Sequence, residues 1–234
     1  MKLLYQGKTK DVFELNGNTL RLKFSDRVTQ NDAGQIDPGG NIRSGVELDG
    51  QAKACLTMTT TIFSELARKK VCDTHMLEFS LADMTMDVVK ATMFAPGLEW
   101  VARWFCTGSF LRRYKKTIPT LLDGMPLQTP VFEITLKDDA AGDPPIVPSA
   151  LVGMGIIGRD LMDILWSTNA KAMQAIREMF TNRGLDLWDI KIEWGLTKTG
   201  EPMLIDEISP GVCRAFNAGT RERVDGWELA KRFL

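Results

Sequence analysis

The strongest constraint on the fold is a run of alternating charged and apolar residues near the C-terminus. In LWDIKIEWGL, residues 187–196, charged residues occupy every second position, and isoleucine or tryptophan stands between them. This period of two predicts a half-buried strand whose polar face carries two carboxylates around an ammonium group. The turn sequence TKTG at 197–200 predicts that the next run, MLIDEISP, folds back antiparallel on the first.

The register of this hairpin decides which charges lie side by side. If Leu196 pairs with Glu201, then Lys191 faces Asp206, and Glu193 lies diagonally across from Asp206. Diagonal neighbours are about 7–8 Å apart, so two carboxylates could approach one hard cation through oxygen. A ladder of structural salt bridges is the alternative. The charges are confined to one face, and a proline-glycine break follows the second run. Both features favour a surface that binds a metal and a nucleotide.

Composition limits the class of protein. The chain has 234 residues, 44% of them hydrophobic and 25% charged, with a net charge of −1, which is typical of a globular protein of one large or two small domains. It lacks a dense basic tract with aromatics, so no nucleic-acid partner is expected. It also lacks an apolar run of about 18 residues or a secretory leader, so no membrane segment is expected and a cytoplasmic location is predicted. Four scattered cysteines and one histidine argue against zinc and against imidazole chemistry.

The remaining patterns predict a mixed α+β chain. Residues 10–15 and 20–24 form a predicted hairpin, whereas 25–47 has no periodicity and is expected to be a functional or mobile loop. Amphipathic spacing predicts helices over 48–70 and 157–182. Strands without regular helical crossovers favour α+β over a doubly wound parallel sheet. Further strands are predicted at 74–79, 86–93, 98–105 and 131–136.

Two lysines near the N-terminus are candidates for phosphate binding. Lys8 and Lys10 follow Gly7 and lie two residues apart, so a strand would place both ammonium groups on one side. Each offers a compact charge, and the glycine lets the backbone approach a phosphate. Solvated strand lysines are the alternative.

Two further charged segments could bind an anion or lie on an ordinary surface. Arg103, Arg112 and Arg113 flank a Thr-Gly-Ser turn that contains Ser109, and this combination offers hydroxyl, backbone and guanidinium donors. The loop at 137–143 carries four charges and ends at Asp143.

The sequence GMGIIG at 153–158 matches the dinucleotide-binding fingerprint. Prolines stand where that fingerprint needs a preceding strand, so the match does not predict nicotinamide binding.

Taken in order, five segments of the chain resemble the SAICAR synthetase (phosphoribosylaminoimidazole-succinocarboxamide synthetase) family. They are LLYQGKTKDVF, EWVARWFCTGSFLRRY, FEITLKDDAAGDP, LWDIKIEWG and LIDEISPGVCR. Each match is modest alone, whereas five matches in the family's order are specific as a set.

This resemblance implies an α+β fold of two lobes with ATP-grasp-like character and a nucleotide in the cleft between them. The β-rich N-terminal lobe with one long helix would span 1–82, and the larger C-terminal lobe would span 83–234. The implied reaction joins L-aspartate to a carboxyaminoimidazole ribonucleotide in purine biosynthesis. ATP first converts the carboxylate to an acyl phosphate, and the phosphate then leaves as the amine attacks the acyl carbon. The implied partners are small molecules, and a homo-oligomer is allowed.

The resemblance also implies residue roles. Lys8, Lys10 and Lys191 would hold the phosphates of ATP, and Glu193 and Asp206 would bind Mg²⁺. The catalytic residues would be Lys191, Glu193 and Asp206. The residues that bind the ribonucleotide substrate would be Arg103, Ser109, Asp143 and Arg214.

The chain departs from the family mainly where the other substrates would bind. Residues 49–56 read DGQAKACL in place of E-G-K-G-x-x-N-N, and 209–211 read SPG in place of S-P-D. Arg103 is followed by Trp rather than Asn, Arg214 is followed by Ala-Phe, and 25–47 lacks the family's A-F-N/D-G. Two alternatives therefore stay open beside the family reaction. One is a related ligase of specialised metabolism with a different amine or acceptor, and the other is a silent nucleotide-binding regulatory protein.

Overall fold

A computed structural model describes residues 1–30, 34, 36 and 42–234 of the chain. Its first sheet is antiparallel, with the strand order β1-β2-β3-β8-β7. The strands are β1 (Lys2–Gln6), β2 (Lys10–Asn16), β3 (Thr19–Phe24), β7 (Met76–Ser80) and β8 (Thr85–Val89). The predicted hairpin is confirmed as β2–β3. Its inward face buries Leu22 and Phe24.

The segment predicted as a loop at 25–47 contains a small two-stranded sheet, so that prediction is wrong in part. Strand β4 (Arg27–Gln30) pairs antiparallel with β5 (Ile42–Glu47). Sequence periodicity misses β4 because Arg27, Val28 and Thr29 are all buried in succession, which leaves no alternation to detect. Residues 31–33, 35 and 37–41 lie outside the described part of the chain.

The second sheet is larger and carries the charged hairpin at its centre. Its strand order is β11-β10-β9-β12-β13-β6, with β14 pairing with both β12 and β15. Strand β6 is parallel to β13, whereas the other pairs are antiparallel. The strands are β6 (Asp73–Thr74), β9 (Leu98–Cys106), β10 (Met125–Leu136), β11 (Pro145–Ile146), β12 (Leu185–Leu196), β13 (Pro202–Ile205), β14 (Cys213–Asn217) and β15 (Arg223–Val224).

The predicted register of the β12–β13 hairpin is wrong by one residue. Leu196 pairs with Pro202 rather than with Glu201, and Glu193 lies opposite Ile205. The turn explains the difference, because Thr197 N donates to the carbonyl of Glu201 and leaves a loop of only three residues, with Gly200 at a φ of 92°. Lys191 therefore does not face Asp206 across the ladder.

Five helices of the described chain cover the sheets: α1 (Gln51–Arg68), α2 (Gly108–Tyr114), α3 (Pro148–Gly153), α4 (Arg159–Thr181) and α5 (Gly226–Lys231). The two long helices predicted at 48–70 and 157–182 are confirmed as α1 and α4. Helix α1 fully buries Leu56, Ile62 and Phe63, and each such side chain contributes about 1.5–3 kcal/mol. The apolar Ile164 of α4 is 52% exposed. No helix of the described residues is long and apolar enough to span a membrane.

The division into lobes at residues 82 and 83 stays a prediction. That point falls inside the β7–β8 hairpin, both strands of which belong to the five-stranded sheet. A single core cluster also includes Met86 from that sheet and Ile192 from the larger one. The two sheets meet at His75, which separates β6 from β7: its backbone N donates to Leu204 O at 2.9 Å, and its carbonyl accepts from Val89 N at 2.8 Å.

Candidate functional site

A cavity of about 820 Å³ has walls from both sheets. Its lining includes apolar residues, among them Val12, Leu22, Val88 and Ile205. It also includes many charged groups. This lysine–carboxylate cluster consists of Lys8, Lys10, Lys137 and Lys191 with Glu99, Asp139, Glu193, Asp206 and Glu207. A lining that combines apolar and charged groups suits a ligand with a flat apolar part and an ionic part.

The two N-terminal lysines reach the cavity from the turn between β1 and β2. Gly7 N donates to the carbonyl of Lys10 at 2.9 Å, and a Cβ at Gly7 would lie 2.5 Å from that carbonyl oxygen. The tight turn therefore requires glycine. Lys10 Nζ lies 2.7 Å from Asp206 Oδ1 and 2.8 Å from Glu207 Oε1, and Lys8 Nζ lies 2.7 Å from Asp139 Oδ2.

Asp206 turns into the cavity from an unusual backbone conformation. Strand β13 ends at Ile205, and Asp206 has a φ of 65°, which is costly for a residue with a Cβ. Burial alone would raise the pKa of its carboxyl, but the charges of Lys10 and Lys137 lower the pKa to about 2. Asp206 is therefore ionised at neutral pH.

The other two lysines hold carboxylates on neighbouring strands. Lys137 Nζ lies 2.7 Å from Glu193 Oε1, and Lys191 Nζ lies 2.6 Å from Glu99 Oε1. Burial, and then the negative charge of Asp206, raise the pKa of Glu193. The charges of Glu193 and Asp206 therefore repel each other, although the predicted register that placed them diagonally across the hairpin is wrong.

A hard divalent cation fits this pair of carboxylates. Oxygen donors are the ligands that Mg²⁺ prefers, and one or two protein carboxylates are its usual complement, with phosphates and water supplying the rest. A cation between Glu193 and Asp206 would relieve the repulsion that raises the pKa of Glu193. In the described residues no group of three or more His, Cys, Asp or Glu is arranged to hold a metal.

Three of the four predicted substrate residues, Arg103, Ser109 and Arg214, form a separate arginine cluster outside the wall of this cavity. Arg103 Nη1 and Arg214 Nη1 both donate to Asp189 Oδ2, at 2.9 and 2.7 Å. Arg103 Nη2 donates to Ser109 Oγ at 2.9 Å, and Arg103 Nε donates to Glu133. Asp189 precedes Lys191 by two residues on β12, or roughly 7 Å along the strand, so β12 links the arginine cluster to the cavity.

Gly108 lies beside the arginine cluster, whereas Asp143 lies near Glu99. Gly108 has a φ of 56°, and a Cβ there would lie 2.8 Å from Arg214 Nη1, so glycine makes room for the guanidinium. Asp143 lies outside the cavity wall, where its Oδ1 accepts from Asp138 N at 3.0 Å. Burial, and then the charge of Glu99, raise the pKa of Asp143.

The positions that depart from the family pattern divide between wall and core. Gln51, Cys55 and Gly211 line the cavity, and Gln51 Nε2 donates to Cys55 Sγ at 3.4 Å. Ala52 and Leu56 are buried in the hydrophobic core instead. Burial raises the pKa of the Cys55 thiol, so this part of the wall is neutral.

Comparisons with known proteins agree with this geometry. The model of the SAICAR synthetase family matches residues 3–234. The phosphoribosylaminoimidazole-succinocarboxamide synthase of Clostridium tetani is 38% identical over 235 residues, which cover 100% of both chains. The chain belongs to the SAICAR synthetase family.

Solved SAICAR synthetases have the same fold as this chain. The crystal structure from Ehrlichia chaffeensis superposes with a TM-score of 0.81 at 25% identity, covering 96% of this chain and 89% of that one. A SAICAR synthetase solved in complex with ADP superposes with a TM-score of 0.79 at 28% identity, covering 94% and 87%. The family resemblance, the α+β fold and the enzyme class, an ATP-dependent carbon–nitrogen ligase, are confirmed.

The sequence pattern of this SAICAR synthetase family member does not predict several residues of the lysine–carboxylate cluster. Glu99 lies in a strand whose neighbours are all buried, so nothing in the local pattern distinguishes it. Lys137 and Asp139 belong to the charged loop that could equally have been ordinary surface. Glu207 directly follows Asp206, and the local sequence pattern shows neither its burial nor its contact with Lys10.

Proposed function

We propose that this chain joins the carboxylate of a carboxyaminoimidazole ribonucleotide to the amine of L-aspartate, with conversion of ATP to ADP and phosphate. The lysine–carboxylate cluster carries the proposal. It lines a cavity of about 820 Å³ in a chain that matches SAICAR synthetases over nearly all its length. Phosphoryl transfer requires positioning and neutralisation of charge more than a strong base, and this wall supplies both.

The nucleotide would lie with its base against the apolar residues of the cavity and its phosphates toward the lysines. Lys8, Lys10 and Lys191 extend into the cavity as compact cations. Burial alone would lower the pKa of Lys10 and Lys191, but the neighbouring carboxylates raise it, so both stay charged. Glu193 and Asp206 would hold Mg²⁺, which stabilises charge on the transferring phosphoryl group.

The ribonucleotide would bind on the side of the arginine cluster. Arg103 and Arg214 share one carboxylate, Asp189, and Ser109 extends the donor set. A guanidinium fork of this kind recognises phosphate or carboxylate in a fixed orientation. Asp143 lies beyond the cavity wall, near Glu99, and its role in binding substrate stays a prediction. A cytoplasmic location and the oligomeric state also stay predictions.

The activity itself gives the first test. Purified protein with Mg-ATP, L-aspartate and the ribonucleotide should release ADP and form the succinocarboxamide product with a kcat/KM above about 10⁴ M⁻¹s⁻¹, the lower end of the ordinary enzyme range. The measurement is coupled ADP release with chromatography of the product. No product in the presence of folded protein would contradict the proposed reaction.

A related ligase with a different amine is the second candidate, and the wall at Gln51, Cys55 and Gly211 favours it. These neutral groups offer no unpaired cation for the second carboxylate of aspartate. An enzyme that recognises a charged group through buried donors rejects analogues strongly, whereas a neutral wall does not. A panel of amines in the same assay separates the candidates, because faster turnover of an uncharged amine than of aspartate would support the second.

Nucleotide binding gives a test that does not depend on the second substrate. Mg-ADP at about 100 times its dissociation constant should raise the free energy of unfolding by about 2.7 kcal/mol through mass action. The measurement is thermal unfolding with and without millimolar Mg-ADP, with magnesium alone as control. An unchanged unfolding temperature would contradict nucleotide binding and, with it, the proposed function. A shift without turnover of any amine would favour the silent regulatory alternative.

A further inference from the structure

His75 lies beside the lysine–carboxylate cluster although no role has been assigned to it. It is the single histidine of the chain, only 5% exposed, and part of the cavity wall. Its Nε2 lies 3.1 Å from the backbone carbonyl oxygen of Asp206. A carbonyl oxygen only accepts, so Nε2 must carry the proton in this contact. Burial lowers the pKa of the imidazole to about 4, so the ring is neutral at pH 7.

The residue whose carbonyl it holds has a strained backbone. Asp206 adopts a φ of 65°, a conformation that persists in residues with a Cβ only where surrounding groups determine it. In a continued strand Asp206 would alternate to the face opposite Ile205. The left-handed conformation ends that alternation and brings the carboxylate to Lys10, at 2.7 Å.

The imidazole is itself well anchored. The backbone of His75 is hydrogen-bonded on one side to Leu204 and on the other to Val89, at 2.9 and 2.8 Å. Its ring packs edge-on against Phe63, with 5.8 Å between centroids. A donor fixed in this way from both sheets can define the orientation of the peptide that it bonds.

We propose that His75 is a positioning residue: its Nε2–H holds the Asp206 carbonyl and so fixes the left-handed backbone from which the Asp206 carboxylate enters the cavity. The inference deepens the proposed function and rests on the role given there to Asp206. The proposed role requires no contact between His75 and a reacting atom. Its effect should appear in how strongly magnesium supports nucleotide binding, not in nucleotide binding alone.

Two variants of matched length isolate the hydrogen bond. His75→Gln keeps an N–H donor, and His75→Met removes it with a side chain of the same unbranched length. Calorimetry with ADP, across a magnesium series and without magnesium, should show about tenfold weaker magnesium affinity in the Met variant, as is usual when a partner of a metal ligand is lost. Magnesium-free ADP affinity should be unchanged, and His75→Gln should recover most of the loss. Phe63→Leu, which loosens the packing of the ring but keeps the hydrogen-bond donor, should lower the unfolding temperature and weaken magnesium affinity much less than His75→Met does.

Equal magnesium affinity in wild type and in His75→Met would overturn the inference, as would an equal loss in His75→Gln and His75→Met. If neither variant folds, the tautomer of His75 in the wild-type protein tests the proposal instead. Long-range ¹⁵N NMR of untagged protein gives an unambiguous spectrum, because the chain has one histidine. The Nε2–H tautomer is expected, and the Nδ1–H tautomer would refute the proposal. Failure of the wild type to bind Mg-ADP at all would instead refute the proposed function.

Discussion

Replacement of Asp206 by Asn is expected to lower kcat by about 10²–10³-fold, the usual cost of removing one preorganised group that stabilises charge in the transition state. Asn keeps the size of the side chain and removes the charge that would hold the metal. The fold should survive, because the carboxylate of Glu207 remains to hold Lys10, at 2.8 Å. The measurement is turnover over a magnesium series, with the unfolding temperature recorded in parallel.

Asp83→Asn is the matched control for this substitution. Asp83 is exposed in the β7–β8 turn, where it accepts from Ser80 Oγ at 2.8 Å. Its replacement should leave turnover unchanged and alter the free energy of unfolding by less than about 0.5 kcal/mol. Near-normal turnover of Asp206→Asn at low magnesium would show that Asp206 does not bind the metal.

Lys10→Met is expected to destabilise the protein by about 3 kcal/mol at pH 7, the usual cost of removing one partner of a buried ion pair. The Lys10 side chain is 11% exposed and lies between Asp206 and Glu207. Its removal leaves the half-buried Asp206 and the buried Glu207 without the cation between them, and the loss of that cation raises the pKa of Asp206 in the folded state. Urea denaturation at several pH values measures the effect.

The pH dependence has a definite sign in each protein. In the wild type the pKa of Asp206 is about 2, below its value of about 3.9 in an unfolded chain. Its contribution to stability is therefore present above pH 4 and lost as the pH falls toward 2. In Lys10→Met the Asp206 carboxylate binds a proton more readily when folded, so the loss of stability relative to the wild type should shrink as the pH falls from 7. A loss that is independent of pH would contradict this account.

Lys8→Met provides the control within the same turn. Lys8 and Asp139 have side chains that are 34% and 52% exposed, and exposed pairs of this kind contribute less than about 1 kcal/mol. Both variants should bind nucleotide more weakly, but only Lys10→Met should lose substantial stability. An equal loss in both would show that burial of the Lys10 pair is energetically unimportant.

The sequence predicted the parts of the site that depend on local pattern. Alternation identified β12 with Lys191 and Glu193, because a strand imposes its period on neighbouring residues. The prediction that one strand carries Lys8 and Lys10 is wrong, since β1 ends at Gln6 and β2 begins at Lys10, so that Lys8 lies in the turn. The spacing of apolar residues predicted the two long helices, α1 and α4, to within a few residues of their ends.

The parts that failed depend on single backbone conformations or on contacts between distant segments. The register of the β12–β13 hairpin differs from the predicted one by a single residue, because of the turn that contains Gly200. The Asp206 carboxylate still acts on Glu193, because the backbone of Asp206 is left-handed. No propensity predicts a left-handed aspartate, since packing imposes that conformation. The contacts of Glu99 and His75 likewise arise only when strands far apart in the chain meet.

The mutual pairing of lysines and carboxylates has a thermodynamic consequence for the order in which ligands act. A phosphate that draws Lys10 away from Asp206, or Lys137 away from Glu193, leaves carboxylates whose charge is no longer neutralised. Those carboxylates then attract a cation more strongly, and a cation bound there releases the lysines toward phosphate. Linkage requires the two effects to be equal in free energy. Nucleotide and metal should therefore bind as positively coupled ligands, each weak alone, so that the cavity selects the metal–nucleotide complex over either component.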